Sequence, residues 1–133
     1  MSSRNPLEIV QSVYGAVGRG DVAALLAELA PNVQWQFVGA PGAPYSGTFA
    51  GHEGVQKFLT GVAAHDDIRA FEPRRFFAGA DHVTVIGWES TVARSTGRTF
   101  EAEWVHVFEL SGGRITRFYG IYDTAPAAAA FAK

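Results

Sequence analysis

The chain has 133 residues, 47% of them apolar and 13% aromatic, with 11 Lys+Arg against 13 Asp+Glu and a formal net charge of -2. That length supplies one core, so residues 1–133 form a single expected domain. The near balance of charge, with no basic cluster beyond Arg74-Arg75, excludes a nucleic-acid surface, and no apolar run approaches a membrane span. Residues 1–10 carry no secretory apolar segment, and the expected location is cytoplasmic. Without cysteine the chain has no disulfide, thiolate nucleophile or sulfur-ligated metal.

Helical spacing governs the first third. Leu7, Val10, Tyr14 and Val17 recur at intervals of three and four, behind an Asn5 cap, Pro6 at the first helical position and Glu8 to close a capping box. Gly18-Arg19-Gly20 ends that helix. Asp21 caps a second, with Val22, Leu25, Leu26 and Leu29 on one face, ending before Pro31. At Val33 the period becomes two: Val33, Trp35 and Phe37 alternate with Gln34 and Gln36, as in a half-buried strand. The stretch 39–51 holds Ala-Pro-Gly-Ala-Pro and is expected to be an irregular, functional loop. A third helix aligns Val55, Phe58, Leu59 and Val62. Runs at 68–78, 82–94, 98–109 and 114–122, separated by glycine-bearing turns, predict an antiparallel meander. Pro73 marks an edge or a bulge in the first run. The alanine-rich tail from Ala125 predicts one or two helical turns folded back.

Helices segregated from an antiparallel sheet predict an α+β domain, with a twisted sheet leaving a hollow against the helices. This order, together with the segments 14–29 (YGAVGRGDVAALLAEL), 45–59 (YSGTFAGHEGVQKFL) and 103–123 (EWVHVFELSGGRITRFYGIYD), resembles the SnoaL-like polyketide cyclase branch of the nuclear transport factor 2-like superfamily. The resemblance implies a cone-shaped α+β barrel, its curved antiparallel sheet wrapped around three N-terminal helices. It also implies a pocket for a small hydrophobic ligand and a homodimer. It does not fix a reaction, since relatives of this kind include isomerases, cyclases, hydrolases, dehydratases and binding modules.

Strand parity places Ile115, Tyr119, Ile121 and Asp123 on one face, provided no bulge intervenes. A carboxylate facing an aromatic hollow loses hydration and becomes a better acid or base near neutrality, so Asp123 is the first catalytic candidate. Its position also matches the aspartate resembling the acid/base of SnoaL-type cyclases. The alternative is a cap on the tail helix. His106 shares a face with Phe100, Ala102, Trp104 and Phe108, and from there can donate to a ligand oxygen or share a proton with Asp123; a buried structural histidine is the alternative. Tyr14 can turn its hydroxyl into the same hollow. Trp35, Trp88 and Trp104 offer indole faces and N–H groups to a flat ligand, joined by Phe58 and Tyr119, with Tyr45 as a lid. Glu89 is either a second inward carboxylate or an outer-face partner, with Glu101 and Glu103, for Arg94, Arg98 or Arg117.

The histidines (His52, His65, His82, His106) show no short ligand spacing, and His65-Asp66-Asp67 looks like a solvated helix end. No metal or cofactor is expected. Three departures narrow the relatives. The first strand, Val-Gln-Trp-Gln-Phe-Val, lacks the aspartate base of ketosteroid isomerases. No Arg/Asp pair resembles the epoxide-hydrolase set, and only His106 suits a dehydratase. The expected activity is cofactor-free isomerisation or aldol-type closure of a small apolar carbonyl compound; the alternative is a non-catalytic binder of a hydrophobic ligand.

Overall fold

The computed structural model describes residues 4–133; the first three residues of the N-terminal segment lie outside it. The chain runs α1 (Pro6–Arg19), α2 (Val22–Ala27), β1 (Leu29–Val38), β2 (Gly47–Ala50), α3 (Gly51–His65), β3 (Asp66–Ala78), β4 (His82–Ala93), β5 (Thr99–Ser111), β6 (Arg114–Tyr122) and α4 (Thr124–Phe131). The Asn5–Glu8 capping box closes the start of α1 as expected, and Gly20 ends it in the left-handed region at φ 68°. Helix α2 is shorter than its apolar spacing suggests. Leu29 already belongs to β1, where it is fully buried against β6.

Six strands form one curved, unclosed sheet in the order β2-β1-β6-β5-β4-β3. Two expectations need correction. The sheet is mixed, because β1 pairs parallel with β6 while its other pairs are antiparallel. The segment 39–51 is also not wholly irregular: Gly47–Ala50 pairs antiparallel with β1 as a short edge strand. Pro73 does lie on the other edge, in β3, at a register shift between Pro73 and Arg75.

Helix α3 packs on β1 and α1 reaches β3 and β4, so the concave face of the sheet looks at the helices. The tail folds back as expected. Thr96 Oγ1 and Arg98 Nη1 donate to the carbonyls of Ala130 and Ala129 at 2.6 and 2.8 Å, and Ala127 is fully buried. No helix among the described residues is long and apolar enough to cross a membrane.

One bulge decides which side chains of β6 face inward. Glu109 pairs with Arg117 but Leu110 pairs with Ile115, leaving Thr116 as an extra residue. Parity therefore reverses beyond Ile115: Phe118, Gly120 and Tyr122 are buried, whereas Tyr119 and Ile121 are only half-buried on the outer face.

Close approach shapes the floor. Trp104 lies over Gly87 of the neighbouring strand, where an added Cβ would stand 2.2 Å from its Cζ2. Gly87→Ala is expected to cost about 1–3 kcal/mol of overpacking in chemical denaturation; an unchanged midpoint would mean that Trp104 is free to move.

Candidate active site

A partly open hollow of about 130 Å³ lies between the concave face and the helices. Aromatic and aliphatic side chains wall it, among them Trp35, Phe37, Phe58, Phe71 and Phe118. Six polar side chains reach it: Tyr14 from α1, Tyr45 from the loop after β1, Asp66 at the start of β3, Glu89 on β4, His106 on β5 and Tyr122 on β6.

At one pole, Tyr14 Oη and His106 Nδ1 are 2.7 Å apart. The imidazole stacks on Trp104 at 4.0 Å, and Trp104 stacks in turn on Phe71 at 4.7 Å, which fixes the ring plane. Burial holds His106 down at about 3, so it is neutral at physiological pH. Burial also pushes the Tyr14 hydroxyl far above its usual range, so Tyr14 keeps its proton. The hydroxyl donates to Nδ1 when the ring proton is on Nε2 and accepts from Nδ1 when it is there; Nε2 has no hydrogen-bond partner among the described residues.

The other pole holds two carboxyl groups. Both Asp66 and Glu89 are 5% exposed, and neither forms an ion pair among the described residues. Burial raises Glu89 to about 7; the Thr91 hydroxyl, donating to Oε2 at 2.5 Å, pulls against that, and the charge of Asp66 adds to it. Burial raises Asp66 to about 6, opposed by the Tyr45 hydroxyl and by the charges of His65 and Arg94. Asp66 Oδ1 is buried without a hydrogen-bond partner. Beside them, Tyr45 and Tyr122 join their hydroxyls at 2.5 Å, and the Ala40 N–H donates to Tyr122 at 3.0 Å. Burial lifts Tyr122 to about 12 and Tyr45 still higher.

Of the residues singled out in the sequence, His106, Tyr14, Trp35, Tyr45 and Phe58 line the cavity. Tyr45 is only 1% exposed, a plug bonded from inside rather than an outer lid. Four expected site residues stand elsewhere. Asp123 is exposed and caps α4, accepting from the Ala125 N–H at 3.3 Å, because the β6 bulge turns it away from the hollow. The same reversal puts Tyr119 outside. Trp88 alternates with the inward Gly87 and Glu89, so it faces outward, where the Arg74 guanidinium lies 5.0 Å above its ring. Trp104 is buried behind His106 and does not line the cavity. The indole nitrogens of Trp35 and Trp104 are buried without partners, out of reach of a ligand carbonyl.

Glu89 takes the inward position rather than an ionic pairing outside, while Arg98 spends its guanidinium on α4. Asp66 is a buried strand start, not a solvated helix end. Tyr122 was hidden by the bulge. The parity of Glu89 with Val83 and Val85 was the one sequence signal for a carboxylate here.

A family model for the SnoaL-like domain matches residues 10–118. An NTF2-like protein from Burkholderia xenovorans is 32% identical, over 99% of this chain and 99% of that one, with a TM-score of 0.87. An NTF2-like protein from Burkholderia thailandensis is 30% identical, over 98% of this chain and 99% of that one, with a TM-score of 0.88. TerC, co-crystallized with polyporic acid, is 25% identical over 94% of this chain and 96% of that one, with a TM-score of 0.79. No curated protein matches the chain.

Two measurements check the site. The folded state of Glu89 binds its proton more tightly than the unfolded state, so stability falls as pH rises from the ordinary 4.5 to about 7. Glu89→Gln removes that slope: its melting temperature gains on that of the wild type across this window and the gap then levels off. A gap independent of pH would mean a hydrated Glu89. Asp123→Ala is expected to cost about 1 kcal/mol as a lost helix cap, with ligand affinity untouched; a calorimetric change in binding would bring Asp123 back into the site.

Proposed function

The chain belongs to the SnoaL-like domain family, and we propose that it acts as a cofactor-independent acid–base catalyst on a small, mostly apolar carbonyl compound. Glu89 takes the base role that strand parity assigned to Asp123. Its carboxylate removes a proton from the carbon next to the carbonyl. The electron pair of that C–H bond moves into the enolate, and the oxygen receives a hydrogen bond from His106 Nε2–H. Tyr14 holds the tautomer that makes this donor. Returning the proton to a different carbon gives an isomer; attack of the enolate on a second carbonyl gives aldol closure.

The observation that carries this reading is that Glu89 and His106, two groups of unlike chemistry, line one apolar cavity. Glu89 stands four residues along β4 from Val85, the partner of His106, so the ligand lies along about 13 Å of strand less the reach of both side chains. A carboxylate near neutrality suits general base work, typically a factor of about 10² to 10⁴. One buried donor at the developing oxyanion contributes about 3 kcal/mol more. The 25% identical relative TerC, co-crystallized with polyporic acid, supports a small-molecule ligand for this fold.

A second reading, a non-catalytic pocket for a hydrophobic molecule, is favoured by the predominantly aromatic and aliphatic lining of the cavity, which needs no acid or base to hold such a ligand. Proton exchange separates the two. Wild-type protein in heavy water is expected to speed deuteration of cyclopentanone beside its carbonyl, followed by NMR. Glu89→Gln loses about 10²-fold or more of that rate and His106→Phe a comparable factor. Binding without any exchange would leave the pocket protein instead.

A homodimer belongs to the same proposal. Trp88, Val105, Val107 and Tyr119 stay half-buried on the outer sheet face of the single chain, a surface suited to a second copy. Sedimentation at micromolar concentration is expected to give twice the chain mass; a monomer would overturn this part.

A further inference from the structure

The proton transfer just described uses the depth of the cavity and leaves its opening without a role. Burial along the lining shows where that opening lies. Most lining residues are buried; the half-buried ones are Tyr14 on α1, Leu59 and Val62 on α3, and Phe71 on β3. Val17 and Ile68, at 46% and 40%, are the exposed members. A side chain that both lines a hollow and meets bulk water stands at its rim, so the hollow opens between α1, α3 and β3. Val17 lies in the last turn of α1, one turn beyond Tyr14. Ile68 lies on the edge strand β3, opposite the inward Thr91 and therefore on the concave face.

Scattered apolar residues are ordinary on a protein surface, but two at one opening, continuous with an apolar lining, form a strip. The rim offers a ligand little else: the Tyr14 hydroxyl is committed to His106, and Asp66 and Glu89 are buried. Volume points the same way. About 130 Å³ is close to that of an engineered apolar cavity that admits benzene, so the chamber encloses a group of about six heavy atoms. A ligand of that size leaves Val17 and Ile68 wet. One with a hydrocarbon extension covers them, and the extension loses its own contact with water.

We propose that the strip from Tyr14 and Phe71 out to Val17 and Ile68 holds an apolar extension of the ligand, which passes through the opening between α1, α3 and β3. Resting on the acid–base reading above for the reacting head, this narrows the substrate to a carbonyl compound whose head fits the chamber and whose hydrocarbon tail reaches the surface.

The test is a chain-length series of unreacted probes, 2-pentanone to 2-octanone, titrated by calorimetry. A methylene taken fully from water is worth about fourfold in affinity, and one on a half-exposed strip about twofold. Wild-type protein is therefore expected to bind 2-octanone about eightfold more tightly than 2-pentanone. Val17→Asn combined with Ile68→Thr, both surface positions, should reduce that gain below about twofold and leave the affinity for 2-pentanone unchanged. Phe77→Thr removes an equally exposed ring that does not line the cavity and should keep the full gain. A wild type without the gain, or a gain that survives the double variant, overturns the inference. So does a double variant whose sedimenting mass falls while the wild type shows no gain, since a second copy of the chain then covers the strip. Deuteration of cyclopentanone is read separately: a chain-length gain without exchange sinks only the enzyme, and exchange without the gain sinks only the extension.

Discussion

Everything distinctive about the cavity follows from the loss of water. A concave sheet face made of Trp35, Phe37, Phe108 and Phe118, closed by α1 and α3, leaves its few polar groups no solvent to share their charge. The same cause then acts in opposite directions. It strips the proton from His106 and drives protons onto Asp66 and Glu89. A neutral ring and near-neutral acids thus coexist with no side-chain ion pair to any of them among the described residues. The linkage is equally opposed: between about 3 and 6.5 the unfolded chain takes a proton at His106 that the folded chain refuses, so that group favours folding as pH rises, whereas the carboxyl groups oppose it.

Distant parts of the chain meet to build this environment. Tyr14 and His106 are 92 residues apart, and Tyr45 and Tyr122 are 77 apart. The first pair ties α1 to the middle of the sheet; the second pins the glycine- and proline-rich loop over the cavity. Gly39 makes the second possible, since a Cβ there would stand 2.8 Å from the Tyr45 ring. The loop is irregular because it must bring one ring inward.

Much of the fold was legible locally. Asn5, Pro6 and Glu8 spell the start of α1, and alternation along 82–109 marks the two central strands with His106 on the inner face. What alternation cannot carry is a bulge. One extra residue at Thr116 moved Tyr122 into the hollow and Asp123 out of it, the largest change between the expected site and the observed one. Trp88 went outward by simple parity with Glu89; its bulk suggested a wall, but its position did not. Asp66 was illegible for another reason. It sits where a helix hands over to a strand, and the Tyr45 hydroxyl that reaches it comes from a loop some twenty residues earlier in the chain. The parallel pairing of β1 with β6 likewise joins segments remote in sequence.

The most direct test of the account is a pH titration of the side-chain carboxyl resonances by NMR, with Asp66 and Glu89 assigned through their Asn and Gln variants. The account predicts midpoints of about 6 for Asp66 and about 7 for Glu89, with the His106 ring remaining neutral until about 3. Midpoints for both acids at or below 4.5, the ordinary glutamate value, would mean that water reaches them, and a dry catalytic chamber would no longer describe this protein.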